Sequence, residues 1–317
     1  MKNKVIAILC ADIHLSHKPP IWRSNEPDWY VAMLRPLDEI KELRFKYDCP
    51  VLCAGDVFDK WNSPAELINF AILRMPKEVC SIPGQHDMPE HRSDALDRSA
   101  YYSLVLSKTI RDMEGIQTQP LVDFNTYTFM YGEKIEPPDW NMTKATGLKN
   151  IAIVHDYVWY GKAKYPNAPE EKEIPKGSKK PNKHMINGKY YGYDVIVYGD
   201  NHKSFLTHVG KTTIFNCGTL MRRKSDEEDY KPQVGLLFSD GSVERYYLDV
   251  SKDVHLTADD TVKEAEALDE IDMEIFAEEL RKLGSSALDF ADAMKHFWTK
   301  EKTKQKVKDL ITKAMEK

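Results

Sequence analysis

The chain has 317 residues, 30% of them charged and 42% hydrophobic, and a formal net charge of −5. That length can bury a sizeable core and fits one large domain with an appendage. The negative balance excludes a globally basic nucleic-acid binder, so contact with a polyanion must come from a local patch or from metal ions. No apolar run reaches the roughly 18 residues that a membrane crossing requires.

In chain order the first element is VIAILCA, residues 5–11. It briefly imitates a secretion signal, but charged Asp12 follows at once, and it reads as a buried strand. PDWYVAMLRPLDEIKELRFKY (27–47) sets Trp29, Met33, Leu37, Ile40 and Leu43 at helical spacing. Pro27 fits its first turn and Pro36 should kink it. VLCAG (51–55) is a second strand. SPAELINFAILRM (63–75) is a second helix, with Ser63 as N-cap and Pro64 at its first position. EVCSIPG (78–84), NIAIVH (150–155) and DVIVYG (194–199) complete a set of nearly continuous apolar strands, the mark of a sheet covered on both faces. Alternation of strand and helix predicts an α/β architecture.

The long segment between His155 and Asp194 is rich in Pro and Lys and has no periodicity. A loop of that length inside a domain is usually functional or disordered. FLTHV, TTIFN, QVGLLF and VERYYLDV then read as antiparallel strands, expected to form a second sheet beside the first. Residues 1–250 are taken as one domain. Beyond Val250 the composition changes: residues 253–292 carry 13 acidic and 3 basic side chains, and residues 293–317 carry 8 basic and 3 acidic ones. Helical spacing in EIFAEELRKL, ALDFADAMKHFW and VKDLITKAM marks 251–317 as a helical appendage. Its apolar stripe must pack on its own domain or dock on a partner. The five cysteines form no CxxC pair and lie mostly in apolar contexts. They read as buried free thiols in a reducing compartment, hence a cytoplasmic location.

The residues just past each strand carry the chemistry. Asp12-Ile13-His14 follows the first, Gly55-Asp56-Val57-Phe58-Asp59 the second and Gly84-Gln85-His86-Asp87 the third. The fourth ends in His155-Asp156 and the fifth runs into Gly199-Asp200-Asn201-His202. In an open α/β sheet the carboxyl ends of the strands converge on one crevice. Each tripeptide alone is weak, but five in order at strand ends are specific. Carboxylate, imidazole and amide oxygen suit Mn, Fe or Zn. About seven ligands are too many for one tetrahedral ion and suit two ions sharing a carboxylate, roughly 3.5–4 Å apart. Such a pair activates water for in-line attack at phosphorus, which is phosphoester hydrolysis.

These motifs resemble the calcineurin-like metallophosphoesterases. The contexts ADIHLS, GDVFDKWNSP, PGQHDMPEH with SALDRSAYYSL, and FNCGTLMRRKSDEEDYKPQVGLL are similar to the SbcD-type DNA nuclease branch, especially its short phage and bacterial forms. The resemblance covers about residues 4–250 and implies a two-sheet αββα sandwich. It also implies two divalent metal ions, Mn first among Mn, Mg, Fe and Zn, with DNA as substrate. An SMC-like ATPase subunit is the implied partner, docked on the C-terminal helices, and relatives commonly form a homodimer. Asp12, His14 and His202 would hold one metal, Gln85, His155 and Asp200 the other, and Asp56 would bridge them. His86 would act on the scissile phosphate, with Asp87 orienting it or fixing the loop. The family's Asn is Gln85 here, and the first His of its GHxH is Asp200. Both changes touch one metal. They favour a harder ion such as Mn or Mg over Zn, or else leave that site weak.

His17, Lys18, His91, Arg92, Arg222, Arg223 and Lys224 lie near the motifs and are candidates for DNA phosphates, against an ordinary surface role for the first four and salt bridges with 226–229 for Arg222, Arg223 and Lys224. Trp159, Tyr160 and Tyr165 can stack on bases or simply anchor the loop. Lys176, Lys179, Lys180 and Lys183 can track a backbone or remain solvated. Asp59 reads as a support for its neighbours, and His184, His208 and His296 as non-ligands. A phosphoprotein or nucleotide phosphatase and a non-catalytic scaffold are the competing functions.

Overall fold

The structure is a computed structural model that describes residues 3–113, 121–176 and 184–256. The chain divides into Met1–His255 and Leu256–Lys317. The helices expected over 251–317 fall almost wholly outside the described residues, as do His296 and three of the loop lysines.

Thirteen strands are described: β1 Val5–Cys10, β2 Val51–Cys53, β3 Val79–Ser81, β4 Ile110–Asp112, β5 Phe124–Phe129, β6 Lys149–His155 and β7 Met185–Ile186, then β8 Lys189–Tyr190, β9 Val195–Gly199, β10 Phe205–Val209, β11 Thr212–Asn216, β12 Gln233–Phe238 and β13 Val243–Tyr247. They make a six-stranded sheet, β13-β12-β1-β2-β3-β4, a five-stranded sheet, β10-β11-β9-β6-β5, and the small β7–β8 hairpin. Strands β1 to β4 are parallel, and so are β5, β6, β9 and β11.

Alternation along β1 explains the layering. Ile8 and Cys10 face one core, with Trp29, Met33, Leu37 and Ile40. Ala7, Leu9 and Ala11 face the other, with Ile151, Ile153, Val195, Val197 and Phe215 of the second sheet. A third core covers the far face of that sheet, where Val154, Ile196, Tyr198 and Ile214 meet Val158, Ile174, Tyr190 and Tyr193. Successive strand residues point to opposite faces, so strands with no polar face require cover on both sides. The result is the two-sheet sandwich of the expected class.

Two details differ from the sequence expectation. The four late strands do not form a sheet of their own. β12 pairs antiparallel with β1 and carries β13, while β11 joins β9 in parallel and carries β10. Both β11 and β12 are buried almost throughout, so each takes an inner seat. Phe215 lies so close to Gly235 that a Cβ there would stand 2.6 Å from its ring. Secondly, Ser63 is not the cap of the second helix. Pro64 is, and the Ser63 hydroxyl donates to the Lys60 carbonyl at 2.8 Å.

Four α-helices complete the described part: α1 Trp29–Tyr47, α2 Ala65–Arg74, α3 Ala100–Leu106 and α4 Trp140–Thr146. α1 starts one residue past Asp28, whose carboxylate accepts from Val31 N–H at 3.1 Å. It continues through Pro36 and lays its buried face on the first sheet. Among the described residues no helix is long and apolar enough to cross a membrane.

Candidate metal centre

The carboxyl ends of β1, β2, β3, β6 and β9 meet between the sheets. The backbone there is bent out of the extended region at residues where this costs energy. Asp12, His14, Asp56 and Asp200 have φ of 50°, 48°, 54° and 83°. Left-handed conformations of non-glycine residues cost of order 1–3 kcal/mol and persist where surroundings over-determine them. Here a ladder fixes them. Asp12 N–H donates to Gly55 O, His14 N–H to Asp56 O, and Leu15 N–H to Val57 O. Gly84 is required by contact: a Cβ there would stand 2.1 Å from Asp56 Oδ1.

Among the described residues the side chains converge in three groups, one of them His14, Asp59 and His86. Asp12, His14 and His202 offer atoms that all lie within 4.8 Å of one another, and so do Asp12, Asp56 and His155. His14 Nε2 and His202 Nε2 face each other at 2.9 Å. Asp56 Oδ2 lies 3.8 Å from His14 Nε2 and 3.4 Å from His155 Nε2, so this one oxygen stands between the groups. Asp56 Oδ1 accepts from His86 N–H at 2.9 Å. His155 Nδ1 lies 2.6 Å from Ala54 O, which turns Nε2 toward Asp56. Asp200 N–H donates to the Asp12 carboxylate, and Gln85 Nε2 donates to Asp200 Oδ1 at 2.7 Å.

A divalent ion fits these residues on a direct observation. His14 Nδ1, Asp56 Oδ2, Gln85 Oε1, His155 Nε2 and His202 Nδ1 are all buried without a hydrogen-bond partner. Buried polar atoms left unpaired are expensive, and native proteins satisfy nearly all of them. The open Asp56 Oδ2, Gln85 Oε1 and His155 Nε2, together with the facing Nε2 atoms of His14 and His202, are the coordination capacity of a metal site, while the unpaired Nδ1 atoms lie on the other side of those two rings. The Gln85 amide is divided between two tasks, its nitrogen on Asp200 and its oxygen open, so the two departures from the family motif are in contact with each other.

The electrostatics agree. Burial disfavours an ionised Asp56, but the charges of His155 and His14 prevail and hold it well below the usual carboxylate range. Burial also works against a charged His155, yet the Asp56 charge outweighs it and lifts the ring well above its ordinary value. Burial pushes Asp12 up and His14 down. Burial, then the Lys224 and Arg223 charges, push His202 down to about 3.

His86 stands beside the centre, its ring 5.0 Å from that of His14 and edge-on. Its orientation comes from Asp59, whose backbone oxygen lies 2.9 Å from His86 Nδ1. The Asp87 side chain is turned to the backbone. Its buried carboxylate accepts from Val57, Phe58 and Gly84 N–H at 3.1, 2.9 and 3.0 Å, tying the QHD turn to the loop after β2. Burial and the Asp56 charge push Asp87 up to about 7, against the pull of those three donors.

The other candidate residues are spread out. Arg223 donates to His14 O and to Asp59 Oδ1 at 2.7 Å, so it borders the centre. Arg222 is committed elsewhere, to Asp253 and to the carbonyls of Glu228 and Val250, rather than to 226–229 side chains. His91 lies on the rim, with Nδ1 3.0 Å from Gln85 O. His17 is farther along, 3.0 Å from the Tyr30 hydroxyl and 3.7 Å from Glu66.

Sequence reasoning missed two supports. Buried Asn201 donates to Val158 O and Ala163 O, holding the segment after β6 against the His202 turn. Its signal was the unbroken polar run Asp200-Asn201-His202. Lys203, not singled out in the sequence, lies with the candidate Lys224 over the candidate Tyr165 ring, at 5.1 and 5.5 Å, and the two lysines make a cationic edge.

Fold and site together define a metal-dependent phosphoester hydrolase. The chain belongs to the calcineurin-like phosphoesterases, whose family model matches residues 7–204. No curated protein matches the sequence. Among solved structures, it is similar to an archaeal phosphodiesterase at 11% identity, covering 76% of this chain and 99% of that one with a TM-score of 0.37. It is similar to the calcineurin-like phosphoesterase YfkN of Bacillus subtilis at 11% identity, over 83% and 96% of the two chains, TM-score 0.40. It is also similar to the sulfate thiohydrolase SoxB of Thermus thermophilus at 12% identity, over 82% of this chain and 60% of that one, TM-score 0.41.

Proposed function

We propose that the chain is a Mn-dependent DNA nuclease, a phosphodiesterase that acts in the cytoplasm as the catalytic subunit of an SMC-like ATPase–nuclease pair. Residues 251–317 are its docking segment, beyond a catalytic domain of residues 1–250, and a homodimer is its expected assembly. The observation that carries the phosphodiester reading is Asp56 Oδ2, open and buried between His14 and His155 with His86 alongside. DNA is favoured over other phosphoesters by the PGQHD and GTLMRR contexts and by the cationic edge of Arg223, Lys203 and Lys224.

Asp12, His14 and His202 would hold one ion, His155, Asp200 and the Gln85 amide oxygen the other, with Asp56 shared. When bound, the pair supplies Lewis acidity toward a phosphoryl oxygen and lowers the pKa of water. The protein's own groups do the rest. An Nδ1–H bond from His86 to Asp59 O fixes the tautomer and leaves Nε2 as the atom that exchanges a proton with the leaving oxygen. Arg223 holds the Asp59 loop from the other side. Burial of Asp12, Asp56 and His155 excludes bulk water from behind the reacting phosphate.

The test is cleavage of end-labelled duplex and single-stranded DNA with Mn²⁺, run beside bis-p-nitrophenyl phosphate, for wild type and His86→Ala. DNA cleavage lost in the variant is expected. Turnover of the small diester with DNA left intact would reject the nuclease reading while keeping the hydrolase.

A further inference from the structure

On the outer face of the second sheet, next to the metal centre, lies a cavity of about 660 Å³. That is within the size range of small-ligand sites. Asp156, which follows the candidate metal ligand His155 in sequence, lines it. Tyr131 forms a second link. This ring borders the cavity, is 38% exposed, and lies 6.5 Å from the His155 ring and 6.0 Å from that of His91.

The far wall is aromatic. Tyr191 stacks on His184, centroids 4.3 Å apart at 26°, and meets Tyr190 edge-on at 4.7 Å. Tyr191 has φ of 49°, a left-handed conformation that bulky residues avoid. Its N–H is pinned to His184 O at 2.6 Å. A strained backbone retained at a residue whose ring lines a cavity is consistent with a functional role for that ring.

Charge narrows the occupant. Glu133, Glu171 and Glu173 line the cavity with Asp156, against Lys134 and Lys172. Lys172 is already held by both oxygens of Asp156, at 2.8 and 2.7 Å. An acidic cavity repels phosphate and accepts an uncharged aromatic group. The Asp156–Lys172 pair also offers an acceptor and a donor for its polar edge.

We propose that this cavity holds the unpaired nucleobase of a nucleotide flanking the scissile phosphate, stacked on Tyr131 or Tyr191, so that the centre selects strands whose base there is unstacked. This rests on the nuclease reading above. It makes the cavity a specificity site: phosphate goes to the metal centre and the base passes Tyr131 to the aromatic wall. Every base has a π-face, so stacking of this kind is tolerant of sequence.

The test is a cleavage ladder from single-stranded oligothymidylates, each carrying one abasic residue, with the full chain and Mn²⁺. In wild type, cleavage at one fixed offset from the abasic residue should fall at least about fivefold, the loss of one stacked base. In Tyr131→Leu that gap should fill, because intact and abasic positions are then cut alike. If Tyr131→Leu does not fold, Tyr191→Leu takes its place, and the wild-type ladder stands without either. A wild-type ladder indifferent to the abasic residue overturns the proposal, as does a gap that persists in both variants. Turnover of bis-p-nitrophenyl phosphate with no oligonucleotide cut overturns the nuclease reading and this occupant with it.

Discussion

Asp87→Ala is expected to destabilise the protein before it affects any chemistry directly. The Asp87 carboxylate is fully buried and is the acceptor for three backbone N–H groups, of Val57, Phe58 and Gly84. A buried donor left without a partner costs about 1–3 kcal/mol. Water entering the vacated volume would relieve part of this, so the expected loss is about 3–5 kcal/mol for the three together. That is a large share of the 5–15 kcal/mol by which domains are typically stable. Asp87→Asn should cost less, about 1–2 kcal/mol. Its amide oxygen can replace Oδ2, which serves Val57 and Gly84, while its amide nitrogen must face the Phe58 donor. Urea unfolding in EDTA measures both, because chelation removes the stabilisation that bound metal would add. Asp87→Ala within about 1 kcal/mol of wild type, or Asn worse than Ala, would refute the bracing role.

Gly84→Ala should abolish metal-dependent turnover, since a Cβ 2.1 Å from Asp56 Oδ1 and 2.5 Å from Asp56 N must displace that residue; retained turnover with Mn²⁺ would contradict this. Metal binding should release protons: against its burial, the Asp56 charge lifts His155 above its ordinary value, and burial lifts Asp12, and both must be deprotonated to act as ligands, whereas burial pushes His14 and His202 down. Calorimetric titration in two buffers of different ionisation enthalpy reads the release, and binding with no release, or with uptake, would contradict this. Gln85→Asn and Asp200→His should be non-additive, because Gln85 Nε2 bonds Asp200 Oδ1. Mn²⁺ affinities of the two single variants and the double variant complete the cycle, and simple additivity would break the coupling claimed here.

Much of this was legible in the sequence because chemistry sits at strand ends. The apolar runs announced β1, β2, β3, β6 and β9, and the polar residues after each announced the crevice. Sheet membership was not legible. QVGLLF and TTIFN have the same apolar character, and only the three-dimensional match of Phe215 to the bare face of Gly235 shows how their sheets meet. The direction of Asp87 was equally hidden, since a carboxylate beside a histidine reads as its orienting partner until three backbone donors are seen around it. Arg222 and Arg223 are neighbours in sequence yet diverge, one to Asp253 and one to Asp59. The Tyr131–Tyr191 cavity draws on residues from distant segments and carries no motif.

The central claim is a shared-carboxylate pair of ions at Asp12, His14, Asp56, Gln85, His155, Asp200 and His202. Anomalous diffraction at the manganese edge, from crystals of the full chain grown with Mn²⁺, tests it most directly. The account predicts two peaks about 3.5–4 Å apart, both within coordination distance of Asp56. A single peak, or two that do not share Asp56, would contradict it.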